Sequence, residues 1–414
     1  MNPITRRTFL GHLGAAVAGT GISGCAVLSH GREQVSSHAF PVVVPDAVQV
    51  DTAKLNQALQ FIESEVDAGS IPGAALVAVR NGRKFVEQYF GIYHDLDGVD
   101  KPYQPGVSNP LFSFSKGITA TIAVMAHQEG LIDYDLPVSK YIPAFANNGK
   151  ASVTLRHLLT HSAGIPSVTG GPVYTEEQWN AFLTKVCDAP SEWPAGSRTA
   201  YHGVSAMFVV AEAIRRVSGM QPWKDICRTR LFELLGTGPM SFDQPNLTLP
   251  VARIPAYFNS IDSFGLGGHP AGGCFGTADD MLRILQLIVG GGVWKGRTVL
   301  TNDALQEMLR VQYAREIAAA ETAGQAPAHE TWGLGWLVRG NAKICGAAHW
   351  FGFGDSQSPT LFGHAGVDTV FGVGDPVRGL AFVFIMTDKP KDAEESTRLR
   401  REVSNRLQDA VLVV

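Results

Sequence analysis

The sequence predicts an α/β protein of the α+β type, with one antiparallel sheet flanked by N- and C-terminal helices and a helical domain inserted between the two parts of the sheet. Three observations support this prediction. A helical pattern followed by a β-hairpin pattern opens the body of the chain, and a hairpin pattern followed by a helical one closes it. Between them, apolar residues mostly recur at helical spacing. A hydrophobic fraction of 45% with 17% charged residues over 414 residues is typical of an enzyme-sized globular body.

The first 25 residues resemble an export signal. Residues 5–10 form a twin-arginine run, and residues 11–20 are weakly apolar and rich in alanine and glycine. That stretch is shorter than the ~20 residues that a spanning helix needs. Residues 22–25 resemble a bacterial lipobox, which implies that Cys25 is lipidated; an ordinary signal peptide with an incidental cysteine is the alternative. We therefore expect a protein on the periplasmic face of a bacterial envelope that contacts the membrane only through Cys25.

The body of the chain begins after a tether that has no helical period. Apolar residues at helical spacing follow Asp51, a favourable N-cap, and predict a helix to about Asp67. The β-rich runs 74–80 and 83–90 come next and flank Asn81-Gly82. That dipeptide favours a two-residue hairpin turn because both positions accept a positive φ. The sequence therefore predicts a helix followed by a hairpin.

Helical patterns dominate the middle of the chain, and the sheet resumes near the end. The predicted middle helices cover residues 118–128, 155–159, 176–185, 204–217 and 277–289. The Ala-rich stretch 314–328 is predicted to be a loose surface insertion. A second hairpin over 370–387, turning at Asp375-Pro376, precedes a helix over 394–407. The predicted divisions are a signal at 1–25, a tether at 26–49 and a folded body at 50–414, with sheet parts at 50–109 and 342–414 and a helical part at 110–341.

Charge and cysteine spacing exclude some function classes. A formal net charge of −4 provides no basic field for phosphates, so no nucleic-acid partner is expected. The cysteines beyond the signal match no metal or redox spacing and are predicted to be packed thiols. They are Cys187, Cys227, Cys274 and Cys345.

Ser113 and Lys116 are the candidate catalytic pair. Residues three apart on a helix are neighbours, and the turn dipeptide Asn109-Pro110 with an apolar run downstream places Ser113 near a helix start. A serine becomes nucleophilic when a base takes its proton, which a lysine can do only where burial or positive charge lowers its pKa. The pair therefore predicts an enclosed site. The alternatives are a helix-capping Ser113 with a solvated Lys116, and Ser115 as the nucleophile.

Residues 112–116, Phe-Ser-Phe-Ser-Lys, resemble the Ser-x-x-Lys motif of serine β-lactamases, penicillin-binding proteins and family VIII esterases. Further stretches that are similar to this superfamily are residues 130–133, 137–143, 155–164 and 270–273. The resemblance extends from about residue 71 to residue 387. It implies a β-lactamase/transpeptidase-like fold and a serine hydrolase that works through a covalent acyl-enzyme, without a cofactor.

A second motif of the superfamily, Tyr-x-Asn, has a counterpart in Tyr201-His202-Gly203. The resemblance implies that the Tyr201 phenol relays the proton between Ser113, Lys116 and the leaving group. Gly203 replaces the usual asparagine and removes an amide that could orient the substrate or Lys116. A core aromatic with a satisfied hydroxyl is the alternative interpretation of Tyr201.

The third motif, Lys-Thr-Gly in penicillin binders, corresponds to His364-Ala365-Gly366. The resemblance implies that these three residues contact substrate and that the backbone N–H groups of Val367 and Ser113 form an oxyanion hole. Penicillin binders hold a substrate carboxylate with the lysine charge and the threonine hydroxyl. An ordinary histidine is mostly neutral at pH 7 and alanine has no hydroxyl, so this motif favours esters or small amides over β-lactams.

Other groups of residues in the sequence give weaker evidence for a functional site. His157 and His161 lie four residues apart, as zinc ligands on a helix can, but no third ligand is evident and no metal is expected. No Gly-x-Ser-x-Gly elbow of an α/β-hydrolase is present. Trp332, Trp336 and Trp350 could line an acyl pocket, although packing in the core is the more common role of tryptophan.

The sequence thus predicts a hydrolase for small ester or amide substrates, in the first place a carboxylesterase. A β-lactamase or a D-amino-acid peptidase is the alternative among enzymes. A catalytically silent envelope protein that keeps the fold and binds a ligand is the alternative outside them.

Overall fold

A computed structural model of the chain describes residues 40–243, 249–253, 266–341, 351–355 and 357–412. The twin-arginine run, Cys25, Cys345 and Trp350 lie outside these residues, so the predictions made for them are not addressed by the structure. The strands are β1 (Gly73–Arg80), β2 (Arg83–His94), β3 (Asp100–Pro102), β4 (Asn109–Pro110), β5 (Phe275–Gly276), β6 (Val293–Trp294), β7 (Arg297–Thr298), β8 (Leu337–Val338), β9 (Phe362–Gly366), β10 (Val370–Asp375) and β11 (Leu380–Met386).

Within the described residues the main sheet has seven antiparallel strands in the order β3-β2-β1-β11-β10-β9-β8. Strand β1 from the first hairpin pairs with β11 from the second, so the two chain ends build one sheet. Asn81 and Gly82 turn the first hairpin with φ values of 50° and 73°. The predicted fold class is confirmed.

Helices cover both faces of this sheet. They are α1 (Thr52–Asp67), α2 (Phe114–Gln128), α3 (Leu155–Leu159), α4 (Glu176–Asp188), α5 (Ser205–Val217), α6 (Trp223–Cys227), α7 (Glu233–Leu235), α8 (Ala278–Val289), α9 (Asn302–Leu309), α10 (Ala314–Thr322) and α11 (Ala393–Ala410). Helices α1 and α11 pack against each other on one face, and α8 packs on the other. The Asp51 carboxylate accepts hydrogen bonds from the second and third N–H groups of α1, as expected of an N-cap.

Strand β1 shows how the sheet separates two apolar cores. Ala74, Leu76 and Ala78 belong to the core shared with α1 and α11. The alternate side chains, Ala75 and Val77 among them, belong to the larger core shared with α2, α5 and α8. Because successive side chains in a strand point to opposite faces, a strand covered on both sides is apolar throughout.

The prediction of a loose insertion at 314–328 is wrong for the first part of that stretch. Residues Ala314–Thr322 form α10, and Ile317 is buried against the body of the protein. Alanine is the best helix former, so an Ala-rich stretch with one well-placed apolar anchor can fold as a helix. Strand β8 also lies within the stretch that was assigned to the helical part, and it extends the sheet beyond β9.

The expectation for three of the cysteines is met in the structure. The thiols of Cys187, Cys227 and Cys274 are free and buried, as predicted for packed cysteines. In the part of the chain that the structure describes, no helix combines the length and the apolar character needed to cross a membrane.

Candidate active site

Ser113 lies at the N-cap of α2, directly after a strained turn. Phe112 has a φ of 44°, a conformation that is unusual for a residue with a side chain and that persists only where the surroundings impose it. The Phe112 ring is buried. The Ser113 side chain makes no capping hydrogen bond to the helix. Its hydroxyl is therefore not used as a helix cap.

The Lys116 amine lies beside that hydroxyl and inside the protein. Lys116 Nζ donates to Ser113 Oγ at 3.0 Å and to the carbonyl oxygen of Ala271 at 2.8 Å. The lysine is only 1% exposed. Burial disfavours the charged form and lowers the pKa of Lys116 from 10.5 to about 7. This is an enclosed amine that is partly deprotonated near neutral pH, as a serine-activating lysine requires.

Small residues and backbone carbonyls make the enclosure around Lys116. A Cβ on Gly117 would lie 2.4 Å from the Trp336 ring, so glycine is what lets this ring pack against α2. Thr119 Oγ1 donates to the Pro270 carbonyl at 2.8 Å. Helix α2 is therefore tied to the 270–273 segment at two points, through Lys116 and through Thr119.

Three buried histidines lie close enough to Lys116 for its charge to disfavour their protonation. Burial and then Lys116 lower the pKa of both His269 and His364 to about 3. Burial, then His202 and then Lys116 hold the pKa of His161 well below its usual 6.5. All three are neutral at physiological pH, so they add no positive charge to the site.

Tyr201 joins the pair from a loop. Its phenol makes a hydrogen bond with Ser113, and Lys116 Nζ lies 5.1 Å from the centre of its ring. Burial raises the pKa of Tyr201 above its usual value of 10, although the hydrogen bond with Ser113 acts in the opposite direction. The phenol therefore keeps its proton at neutral pH. The structure brings Ser113, Lys116 and Tyr201 together.

The third motif forms most of β9. The His364 side chain is fully buried, and its Nδ1 lies 2.8 Å from the Ala365 carbonyl oxygen. Its ring centre lies 6.2 Å from that of Tyr201. Ala365 is partly exposed. Of these two side chains, the structure leaves the alanine and not the histidine accessible from outside.

The end of β9 lies against the turn that precedes the nucleophile. A Cβ on Gly366 would lie 2.4 Å from the Leu111 carbonyl oxygen and 3.1 Å from Phe112 Cβ. Val367 follows with a φ of 29° and packs in one cluster with Phe112. Among the described residues, neither the Ser113 N–H nor the Val367 N–H donates a hydrogen bond. Both donors of the predicted oxyanion hole are therefore unoccupied by acceptors from the described part of the chain.

Ser115 and the tryptophans have structural roles. Ser115 is fully buried, and its hydroxyl accepts a hydrogen bond from the Cys274 N–H at 3.2 Å, which argues against it as the nucleophile. Trp332 and Trp336 are also fully buried. The Trp332 ring packs nearly parallel to that of Tyr201, with centres 6.0 Å apart. It supports the site from within the core.

Two contributions to the site were not predicted. The Ala271 carbonyl, which accepts from Lys116, belongs to a stretch that the sequence marks only by its resemblance to the superfamily. His161 packs on Tyr201 with ring centres 4.8 Å apart, whereas the sequence suggested for it only a zinc-ligand spacing with His157 and a place in a stretch similar to the superfamily. No group of three or more potential metal ligands occurs within the described part of the chain. His157 instead closes a capping box with Thr154 at the start of α3.

The chain is similar in sequence and in fold to known proteins. The β-lactamase family model matches residues 59–405. A D-alanyl-D-alanine carboxypeptidase-like protein of Salmonella typhi is 24% identical, over 84% of this chain and 86% of its own. A penicillin-binding protein homologue from Caulobacter crescentus has a TM-score of 0.68 at 22% identity, covering 86% of this chain and 98% of its own. A family VIII carboxylesterase has a TM-score of 0.67 at 20% identity, covering 86% and 98%.

Proposed function

The chain belongs to the β-lactamase family and is a serine hydrolase, and from this premise we propose that it is a carboxylesterase that forms an acyl-enzyme on Ser113. The observation that carries the proposal is the 3.0 Å contact between Ser113 Oγ and the buried amine of Lys116, whose pKa is about 7. Near neutral pH a large fraction of this amine is unprotonated and in reach of the hydroxyl proton.

The reaction has two halves that use the same groups. Ser113 Oγ bonds to the ester carbonyl carbon while its proton passes to Lys116 Nζ. The backbone N–H groups of Ser113 and Val367 donate to the oxyanion. The intermediate collapses by breaking the bond to the leaving alcohol, which receives the proton through the Tyr201 phenol. Water then attacks the acyl carbon and loses a proton to the same base. The bond from the acyl carbon to Ser113 Oγ breaks, the base returns the proton to Oγ, and the carboxylic acid leaves.

The composition of β9 favours neutral esters over substrates that carry a carboxylate. A penicillin or a D-alanyl peptide carries an anionic carboxylate that needs a cation or a hydroxyl. In β9 the corresponding residues are His364, which is buried and neutral, and Ala365, which has no hydroxyl. An ester with an uncharged acyl group needs neither. The peptidase-like relative from Salmonella typhi makes a D-alanyl substrate the main competitor.

The test compares three substrates on one set of variants. The wild type, Ser113→Ala and the matched control Ser115→Ala are incubated with a short-chain aryl ester, a β-lactam and a D-alanyl-D-alanine peptide, and turnover and intact mass are followed. We expect an acyl adduct and ester turnover in the wild type and in Ser115→Ala, and neither in Ser113→Ala. Faster turnover of the β-lactam or the peptide would replace the esterase assignment. A wild type that reacts with none of them, yet binds them, would favour the silent binding protein.

We also propose that the protein is exported and held at the periplasmic face of a bacterial envelope by a lipid on Cys25. The support is the twin-arginine run at residues 5–10 and the lipobox-like residues 22–25. The test is fractionation with labelled fatty acid. We expect the wild type to be labelled and membrane-bound, Cys25→Ala to be unlabelled, and a variant with both Arg6 and Arg7 changed to Lys to stay inside the cell. An unlabelled wild type would refute the lipid anchor.

A further inference from the structure

We propose that His161 is a positioning residue for Tyr201, an inference that rests on the role of Tyr201 in the proposed function. Tyr201 lies in a segment without helix or strand, between the end of α4 and the start of α5. A loop residue needs specific contacts to hold a phenol at hydrogen-bond distance from a nucleophile. The question is therefore which groups hold the backbone on either side of Tyr201.

His161 contacts both neighbours of Tyr201. Its carbonyl oxygen accepts a hydrogen bond from the Ala200 N–H at 2.9 Å. Its ring Nδ1 accepts one from the His202 N–H at 3.1 Å. Its ring also packs on that of Tyr201, with centres 4.8 Å apart. One residue thus binds the backbone before and after Tyr201 and supports its ring.

The contact at Nδ1 requires a neutral ring in one tautomer. Because Nδ1 accepts a hydrogen bond, the proton of the neutral imidazole lies on Nε2. Burial is the largest cause that keeps the pKa of His161 well below its usual value, and it is reinforced by His202, Lys116 and His364. The rings of Tyr201 and Trp332 also pack against it and carry no charge. The acceptor is therefore present across the working range of pH.

Two features of His161 are unfavourable for the stability of the fold. Its φ is 55°, which is unfavourable for a residue with a side chain. Its buried Nε2 has no hydrogen-bond partner among the described residues. The left-handed conformation begins the segment 161–167, which runs beside the tyrosine loop; Gly196 N–H, for example, donates to the Ser162 carbonyl at 2.8 Å. The strain therefore lies where the chain turns to hold that loop.

The experiment separates the acceptor atom from the bulk of the ring. In His161→Asn the Oδ1 atom is as many bonds from the backbone as Nδ1, and asparagine tolerates a positive φ. His161→Leu keeps similar bulk without an acceptor, and His161→Gly relieves the strain without an acceptor. We expect kcat for an aryl ester to fall about 10- to 100-fold in the Leu and Gly variants and less than about threefold in Asn. KM and the midpoint of the acid limb of the pH profile should not move, because the ring is uncharged.

The matched controls are His127→Asn and His127→Leu, on the far end of α2. His127 is partly buried, and its Nδ1 lies 3.0 Å from the Ile132 carbonyl oxygen. Its replacement measures how much activity is lost when a histidine that does not contact Tyr201 is removed. The rate of Ser113 labelling by a fluorophosphonate is measured in parallel and does not depend on the natural substrate. If the wild type is neither labelled nor active, the proposed function fails and this inference fails with it. If the wild type reacts and the Leu and Gly variants match it, only the inference on His161 is refuted.

Discussion

The carbonyl oxygen of Ala271 accepts a hydrogen bond from Lys116 Nζ at 2.8 Å, across a separation of 155 residues. A carbonyl carries no net charge, so it directs the amine without stabilising the ammonium form as a carboxylate would. The amine can thus be held beside Ser113 and remain a base. Several consequences of this arrangement can be measured.

The pH dependence of activity should report Lys116. Since the unprotonated amine is the active form and its pKa is about 7, kcat/KM for a neutral ester should rise with pH and reach half its plateau near pH 7. His269 and His364, with pKa values of about 3, add no step between pH 5 and pH 8. The measurement is a pH–rate profile from pH 5 to pH 9. A flat profile over this range, with the protein folded throughout, would contradict the role of Lys116.

Replacing Lys116 should make the protein more stable while removing activity. The pKa of Lys116 is about 7 in the folded protein and 10.5 when exposed, so folding carries the full cost of burying a charge below pH 7, and the cost disappears as the pH rises toward 10.5. At about 1.4 kcal/mol per pKa unit, that cost is on the order of a few kcal/mol. Lys116→Met should therefore melt above the wild type at pH 7, and the difference should shrink at pH 10. Equal melting temperatures at both pH values would contradict this.

The phenol of Tyr201 should matter for turnover and not for the fold. Tyr201→Phe removes the hydroxyl that bonds to Ser113 and keeps the ring on Trp332. We expect kcat to fall about 10²- to 10⁴-fold, the usual contribution of a positioned proton-transfer group, with a small change in KM. The control is Tyr134→Phe, because the Tyr134 hydroxyl is buried without a hydrogen-bond partner among the described residues. Equal losses in both variants would show that removing a buried tyrosine hydroxyl lowers activity in general, and would contradict a specific role of the Tyr201 hydroxyl.

The sequence predicted those parts of the molecule that depend on short-range rules. The turn at Asn81-Gly82 follows from which residues accept a positive φ, and the Ser113–Lys116 contact follows from helical spacing. The loop prediction for the Ala-rich stretch is wrong because its helix propensity outweighs its low complexity, and nothing local shows that Ile317 is buried.

Other parts depend on contacts between distant residues that spacing cannot show. The Ala271 carbonyl reaches Lys116 only because the 270–273 segment packs along α2. Tyr201 lies in a loop whose path is set by bonds such as that from the Ala200 N–H to the His161 carbonyl. In both cases a resemblance marked the segments as important. The contacts that make them so come from tertiary packing.

The contact between β9 and the turn before the nucleophile should be sensitive to one methyl group. A Cβ on Gly366 would lie 2.4 Å from the Leu111 carbonyl oxygen, so Gly366→Ala must push the end of β9 away from the residues that lead into Ser113. Val367 is the next residue, and its N–H would move away from the position of the oxyanion. Loss of one oxyanion-hole donor usually lowers kcat 10²- to 10³-fold, so we expect kcat of Gly366→Ala to fall by about 10²-fold or more.

The control is Gly238→Ala, because a Cβ there would meet nothing within 4 Å. The measurement is kcat for an aryl ester together with the melting temperature. Retained activity in Gly366→Ala would show that the Val367 N–H is not part of the oxyanion hole. If Gly366→Ala fails to fold while Gly238→Ala folds, the close contact at Gly366 is needed for the stability of the sheet, and a specific effect on catalysis is refuted.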